Sequence, residues 1–339
     1  MGIALRSNKR RPVHMGRLPL ETLSRAATVD FDKVPSFEPL SYHRPNQPDS
    51  IVNAMGDHQA MLDAIRDGLI NKSVADAPVE LVERANHLKA FGYFADASIV
   101  GACALPTNAI LPTPIRNPDI DRLAEDLRTR QTKTFASGID LIMADLKESM
   151  EAPPTTISNH THALVFLYEH PREPNKDEPG SDWIKDASAH RSSLLAAETA
   201  VVIANYLRLL GHDARAHTAS SSDVDLNRLA VAAGVAMVKG SELEAPFIGS
   251  RYGVAAVTTS FEFASDLPLA KLPKQQNEPA YAKRQFKDGA HPFEKLKRVD
   301  NPTTYIDEAR VPRVPKRTDM FSRALFGDMG KPVQEGAKG

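Results

Sequence analysis

Apolar and small residues are densest in one stretch of the chain, SSLLAAETAVVIANYLRLLG, running from Ser192 to Gly211. Leu194, Ala197, Val201, Ala204 and Leu207 recur at the three-and-four spacing of one helical face, and Ala196, Ala200, Ile203 and Leu210 fill much of the remainder. The pattern predicts a helix that is apolar nearly all round, packed on several sides, and ended by Gly211 in the left-handed conformation. After it the residues predict a strand over Ala214–His217, then a polar loop. Asp223-Val224-Asp225 leads into a short helix, LNRLAVAAG, that ends at Gly234. AMVKG reads as a short strand, and Val254 to Phe263 as a long one, too continuously apolar to face water.

Upstream the periodicity is weaker. Asp57–Leu69 predicts a short amphipathic helix with Met61, Ile65 and Leu69 inward, and Pro78–Ala90 a second with Val79, Val82 and Leu88 inward. Ser98–Leu105 and His162–Tyr168 read as buried strands. Pro106, Pro112, Pro114 and Pro118 predict a rigid loop between Leu105 and helices over Asp119–Arg130 and Ser137–Met150. Alternating helices and strands argue for an α/β sandwich over residues 51–270. Residues 1–50 and 271–339 are Pro-rich and polar, which predicts extended arms, the first laid over a neighbour.

Composition narrows the function class. The 339 residues are 42% hydrophobic and 25% charged, as in an ordinary globular protein, and a net charge of -1 gives no reason to propose nucleic acid as partner. No run reaches the ~18 uninterrupted apolar residues of a membrane span. Arg10-Arg11 starts like a twin-arginine export signal, but the following Pro12–Arg17 is polar. Cys103 is the single cysteine, so the chain has neither an intrachain disulfide nor the ligands of an iron–sulfur cluster; it reads as a small buried hydrophobe.

NYLRLLGHDARAH, LNRLAVAAG and GSRYGVAAVTT, followed by Leu267-Pro268-Leu269, resemble the corrinoid-binding core of reductive dehalogenases and, more distantly, epoxyqueuosine reductases. HLKAFGYFADASIVGACAL and HALVFLYEHPREP are similar to two earlier blocks of that family, so the resemblance spans roughly residues 80 to 270. It implies a nitroreductase-like α/β sandwich core carrying the two Pro-rich arms, with cobalamin as cofactor, retained or lost. The respiratory branch of the family is exported; lack of an apolar segment after Arg11 resembles the soluble, cytoplasmic branch. Soluble members look like two tandem copies of the core, the first degenerate. An echo, P-[LF]-E-x-L-x-R, at Pro19–Arg25 and Pro292–Arg298 fits a first copy plus the lead-in to a second, although so short a match also fits chance.

The resemblance places the family's substrate-proximal arginine at Arg251, within Gly249-Ser250-Arg251-Tyr252; a surface arginine paired with a carboxylate is the bland alternative. The family's tyrosine acid falls about 18 residues before Gly211, at ~3.6 residues per turn. Ser193 stands there, a hydroxyl too weakly acidic to replace a phenol, with His190 nearby as a substitute donor. His217, Ser220, Ser221, Ser222, Gly249, Ser250 and Tyr252 are the candidate corrinoid contacts, His212 lying beside them, while Asp223 reads equally well as a helix cap. His160 and His162 share strand spacing but lack a fixed partner for a metal. The favoured reading is a dehalogenase-like module without iron–sulfur clusters, a non-catalytic half docking on a catalytic corrinoid/iron–sulfur chain or on itself as a homo-oligomer. The rivals are a corrinoid enzyme fed by a separate ferredoxin or reductase, a corrinoid-delivery protein, and a flavin enzyme.

Overall fold

The computed structural model describes residues 11–130 and 156–273; the expected helix Ser137–Met150 and most of the arm 271–339 lie outside the described residues. In chain order the elements are α1 (Ile51–Ala64), α2 (Leu81–Phe94), β1 (Ile99–Ala104), β2 (Ile110–Ile115), α3 (Asp119–Arg130), β3 (His162–Glu169) and α4 (Ser181–Ile184). There follow α5 (Ser188–Leu209), β4 (Ala214–His217), β5 (Ser222–Val224), α6 (Leu226–Ala232), β6 (Met237–Lys239), β7 (Glu242–Glu244) and β8 (Tyr252–Thr259).

The centre is a four-stranded sheet in the order β1-β3-β8-β4, every neighbouring pair antiparallel. Val100, Ala102, Leu164, Phe166, Ala216, Ala255 and Val257 pack from one face against α2 and α5. Ile99, Cys103, Val165, Leu167, Val254 and Ala256 pack from the other against α6 and the N-terminal segment. With both faces covered, the strands need no polar alternation, which is why they read as continuous apolar runs. The α/β expectation holds at this level: helices enclose a sheet.

The predicted central helix forms as α5, starting four residues early, at Ser188, and Gly211 closes it at φ +87°. Its alanines let it lie tight on β8. A Cβ on Gly253 would stand 2.5 Å from Ser192 C and 2.7 Å from Ser193 Cα, so only glycine admits this approach. Both sheet edges are covered. Asp266 accepts the Ala102 amide and donates its own to Ala102 O on the β1 side, and Arg66 O accepts the Ala216 amide on the β4 side.

Four expectations are corrected. Residues 11–50 lie on the chain's own core: Leu18, Leu20, Phe31 and Phe37 pack there, and Arg25 Nη1 donates to Gly234 O and Leu267 O at 2.9 Å. The proline loop contains a strand, β2, pairing irregularly with β5; a two-stranded ribbon tolerates proline where the missing amide is not needed. In α1, Met61 is 48% and Leu69 97% exposed, while Val52, Gln59, Ala60 and Asp63 face inward. In α2, Val79 and Val82 are exposed and only Leu88 of the expected face is buried.

Candidate functional site

Strand alternation on β4 sends Ala214 and Ala216 toward α5 and leaves Arg215 and His217 on the opposite side. There they meet groups delivered by four other segments, and a closed polar interior results. Arg66, just after α1, places Nη1 2.7 Å from Asp223 Oδ2, and Arg215 Nη1 lies 3.3 Å from the same oxygen. Arg215 also donates to Asp67 Oδ2 at 2.6 Å. Burial alone would raise Asp223; Arg66 and Arg215 overcome it and hold the carboxyl at about 2. Asp223 is therefore a buried counter-ion and not the helix cap: Asp225 Oδ1 accepts the Arg228 amide at 3.0 Å and caps α6.

His217 is fully buried. Its Nδ1 accepts the Asp223 amide at 3.2 Å, which leaves the proton on Nε2, 2.7 Å from Thr258 Oγ1. Burial holds this imidazole well below the usual histidine range. Beside it, Asp63 carries no countercharge. Its carboxylate accepts from Gln59 Nε2 and Asn117 Nδ2 at 2.8 Å and from Thr218 Oγ1 and Ser220 Oγ at 2.6 Å. Burial still pushes it upward.

The candidate corrinoid contacts fall in two places. His217, Ser220, Ser221 and Ser222 sit inside this interior. Ser220 donates to Asp63, Ser221 Oγ to Ile115 O, and Ser222 Oγ to Val224 O at 2.6 Å. These four residues are buried and their side-chain polar atoms are all engaged within the chain, so as they stand they do not fit the holding of a corrinoid. Gly249, Ser250, Arg251 and Tyr252 lie at the far end of β8. Gly249 makes a turn at φ +77°, and Tyr252 lines the second core face, its hydroxyl pushed up by burial. Arg251 is 62% exposed, with Nη2 3.6 Å from Glu173 Oε1. It edges a shallow cavity of about 320 Å³ lined also by Glu169, His170, Arg172 and Ile248.

His190 belongs to neither group. It is buried in α5, edge-on to Tyr42, with Nε2 donating to Ser41 O at 3.1 Å, and burial lowers its pKa. Ser193 faces β8 at Gly253. His212 lies against Phe261 and His162 against Phe263. His160 points instead at Thr258, so it and His162 do not converge; among the described residues no three His, Cys, Asp or Glu side chains form a metal-ligating group. Sequence reasoning missed Asp63, Arg66, Arg215 and Thr258. The one available signal was the alternation of β4, which sets Arg215 and His217 on the face opposite Ala214 and Ala216.

The chain has solved counterparts among reductive dehalogenases, the family that the sequence resembles. The catabolic reductive dehalogenase NpRdhA matches 98% of the chain at 30% identity with a TM-score of 0.66, and the chain covers 43% of that protein. Its complex with 3-bromo-4-hydroxybenzoic acid matches 98% of the chain at 31% identity, with 44% of that protein covered and a TM-score of 0.65. A reductive dehalogenase structure presented as suggesting a mechanism for B12-dependent dehalogenation matches equally, at 31% identity and 0.65, over 98% of the chain and 43% of that protein. The chain thus spans less than half the length of these neighbours. Epoxyqueuosine reductase aligns with 57% of the chain and 50% of its own length at 14% identity, with a TM-score of 0.33. No protein-family model and no curated protein matches the chain. Among the described residues no helix is long and apolar enough to cross a membrane.

Proposed function

We propose that this dehalogenase-like module works as a non-catalytic structural half or subunit, docking on a catalytic chain that carries corrinoid and iron–sulfur clusters, or on a second copy of itself. The observation that carries the reading is the engagement of His217, Ser220, Ser221 and Ser222 in the chain's own hydrogen bonds. A surface that must grip a polar ligand keeps donors and acceptors for it; a structural copy spends them internally. Cys103 adds support. Its thiol is buried and pushed up to about 12, the opposite of a thiolate cluster ligand. An apolar stripe on the outside of α2 and α5 is the kind of surface a docking partner covers. Phe94 is 81% exposed, Val202, Tyr206 and Leu209 follow one helix face, and Phe91 stacks on Tyr206 at 6.2 Å. The nitroreductase-like description of the core and a cytoplasmic location belong to the same proposal.

Titration of the purified chain with hydroxocobalamin, followed by desalting and a visible spectrum, tests it. No retained colour is expected; retention near one equivalent would overturn the reading. A second reading, favoured by the B12-dependent dehalogenation attached to one neighbour and by the exposure of Arg251, keeps cobalamin and takes electrons from a separate ferredoxin or reductase. It predicts retained corrinoid and loss of substrate turnover in Arg251→Ala.

A further inference from the structure

The polar interior ends in a hydrogen-bonded chain with a fixed direction. The Asp223 amide donates to His217 Nδ1, so His217 Nε2–H donates to Thr258 Oγ1. Thr258 has one hydroxyl proton, and it goes to His160 Nδ1, 2.7 Å away. His160 therefore carries its own proton on Nε2, which stands 3.3 Å from Asp213 Oδ1 but is too poorly aligned to make a hydrogen bond. Asp213 is the outlet: its carboxylate is partly exposed and also accepts from Asn159 Nδ2 at 2.8 Å. The chain joins β5, β4, β8, the residues before β3 and the α5–β4 loop.

We propose that the series Asp213–His160–Thr258–His217–Asp223 is an acid-sensitive latch that holds β4 and its flanking loops to the sheet and releases them locally when its histidines take up protons. The closed form has no place for an added proton. A proton on His160 Nδ1 faces the Thr258 hydroxyl, which already accepts from His217 Nε2 and can then donate to neither histidine. A proton on His217 Nδ1 faces the Asp223 amide. The surrounding charges do not undo this: His217 is faced by Asp223 but also by Arg66, Arg215 and His160, while at His160 burial outweighs Asp213 and Asp67, which favour the proton against Arg215. Once opened, both rings regain water and Asp213 is the nearest carboxylate for the His160 imidazolium. Burial lowers both imidazoles in the closed form, in agreement with the geometry.

Hydrogen exchange of the full chain, corrected for intrinsic exchange, reads the latch at the hydrogen-bonded amides of Ala216, Thr218 and Ser260. An open form with an ordinary histidine of ~6.5 gives up to about a tenfold loss of protection per histidine excluded from the proton in the closed form between about pH 7.5 and about 5.5, so up to roughly a hundredfold for two. The amides of β1 and β3 should keep their protection. His160→Gln should cut the loss to at most about tenfold. Thr258→Ser, which keeps the hydroxyl, should retain the wild-type profile, and Thr258→Val should expose the three amides already at about pH 7.5 while sparing β1 and β3. A parallel loss in β1 and β3, a flat wild-type profile, or equal behaviour of the Ser and Val variants would overturn the latch. The corrinoid titration bears on none of these outcomes.

Discussion

Removing the charge of Asp223 should destabilise the fold by roughly 2–3 kcal/mol, and removing its oxygens as well should cost more. In Asp223→Asn the side chain keeps its shape, and Arg66 and Arg215 keep an oxygen to donate to, but the buried anion is gone. An aspartate lowered from 3.8 to about 2 owes that shift to the native state, which at ~1.4 kcal/mol per pH unit amounts to roughly 2–3 kcal/mol. Asp223→Ala removes the oxygen as well. It leaves Arg66 inside with Ala216 O at 3.4 Å, whereas Arg215 retains Asp67 at 2.6 Å. Breaking one side of a buried pair costs about 3–5 kcal/mol, and the surviving Asp67 contact favours the lower end.

Urea unfolding at neutral pH is the assay, with the slope checked for constancy so that the midpoint reports stability. The sign of the pH dependence follows from a depressed native pKa. The contribution is complete above the unfolded value of 3.8 and fades as pH falls toward about 2, so wild type and Asp223→Asn should converge on acidification while each loses stability for other reasons. An Asn variant within ~0.5 kcal/mol of wild type, the range of ordinary surface changes, would refute the reasoning, as would a gap that widens with acid.

Three further outcomes follow from the same geometry. Gly253→Ala drives a Cβ into the backbone of Ser192 and Ser193 and should cost about 3 kcal/mol or more in thermal or urea unfolding, whereas Gly249→Ala, with open space around its left-handed backbone, should cost only ~1–2 kcal/mol. Arg25→Ala removes two carbonyl contacts that clamp the N-terminal segment and should cost about 2 kcal/mol, with faster proteolysis near Leu23; Arg172→Ala, losing an exposed pair with Glu178, should stay within ~0.5 kcal/mol. His160, His162, His170, His190, His212 and His217 are all lowered, burial being the first cause in each. The unfolded chain therefore binds more protons below ~6.5, and the urea midpoint should fall as pH drops from about 7 to 5.5; a flat or rising midpoint would contradict their burial.

How legible the fold was depended on whether an element's surroundings were apolar. α5, β3 and β8 are buried against hydrocarbon on most sides, and their sequences declare it at the right period to within a few residues. α1 misled because its buried face is partly polar. Gln59 and Asp63 look solvent-bound beside Met61 and Ile65; Gln59 is satisfied by Tyr42 and Asp63, and Asp63 by donors farther along the chain, Asn117, Thr218 and Ser220. Periodicity cannot see partners 54, 155 and 157 residues away. The arm at 11–50 misled for a related reason. Its prolines rule out long helices but say nothing about docking, which here runs through isolated contacts such as Arg25 to Gly234 O and Phe37 N to Asp225 Oδ2.

The polar loop Thr218–Asp225 marks the boundary of what such patterns can decide. Hydroxyls and carboxylates at this density are equally suited to gripping a ligand and to satisfying one another, and no local rule separates the two. The difference lies in stoichiometry. Asp63 receives four donors and Asp223 receives two guanidinium groups, while each serine hydroxyl already has its acceptor. A ligand entering here must break several of those bonds, each worth about 0.5–1.5 kcal/mol net and more where a charge is involved. A cofactor site built on the same residues would need a rearranged loop, so a corrinoid that did bind would report itself by exposing Asp63 and Asp223. That exposure is measurable: bound hydroxocobalamin would have to speed exchange at the Thr218 and Asp223 amides, whereas binding at the Arg251 end of β8 would leave them protected.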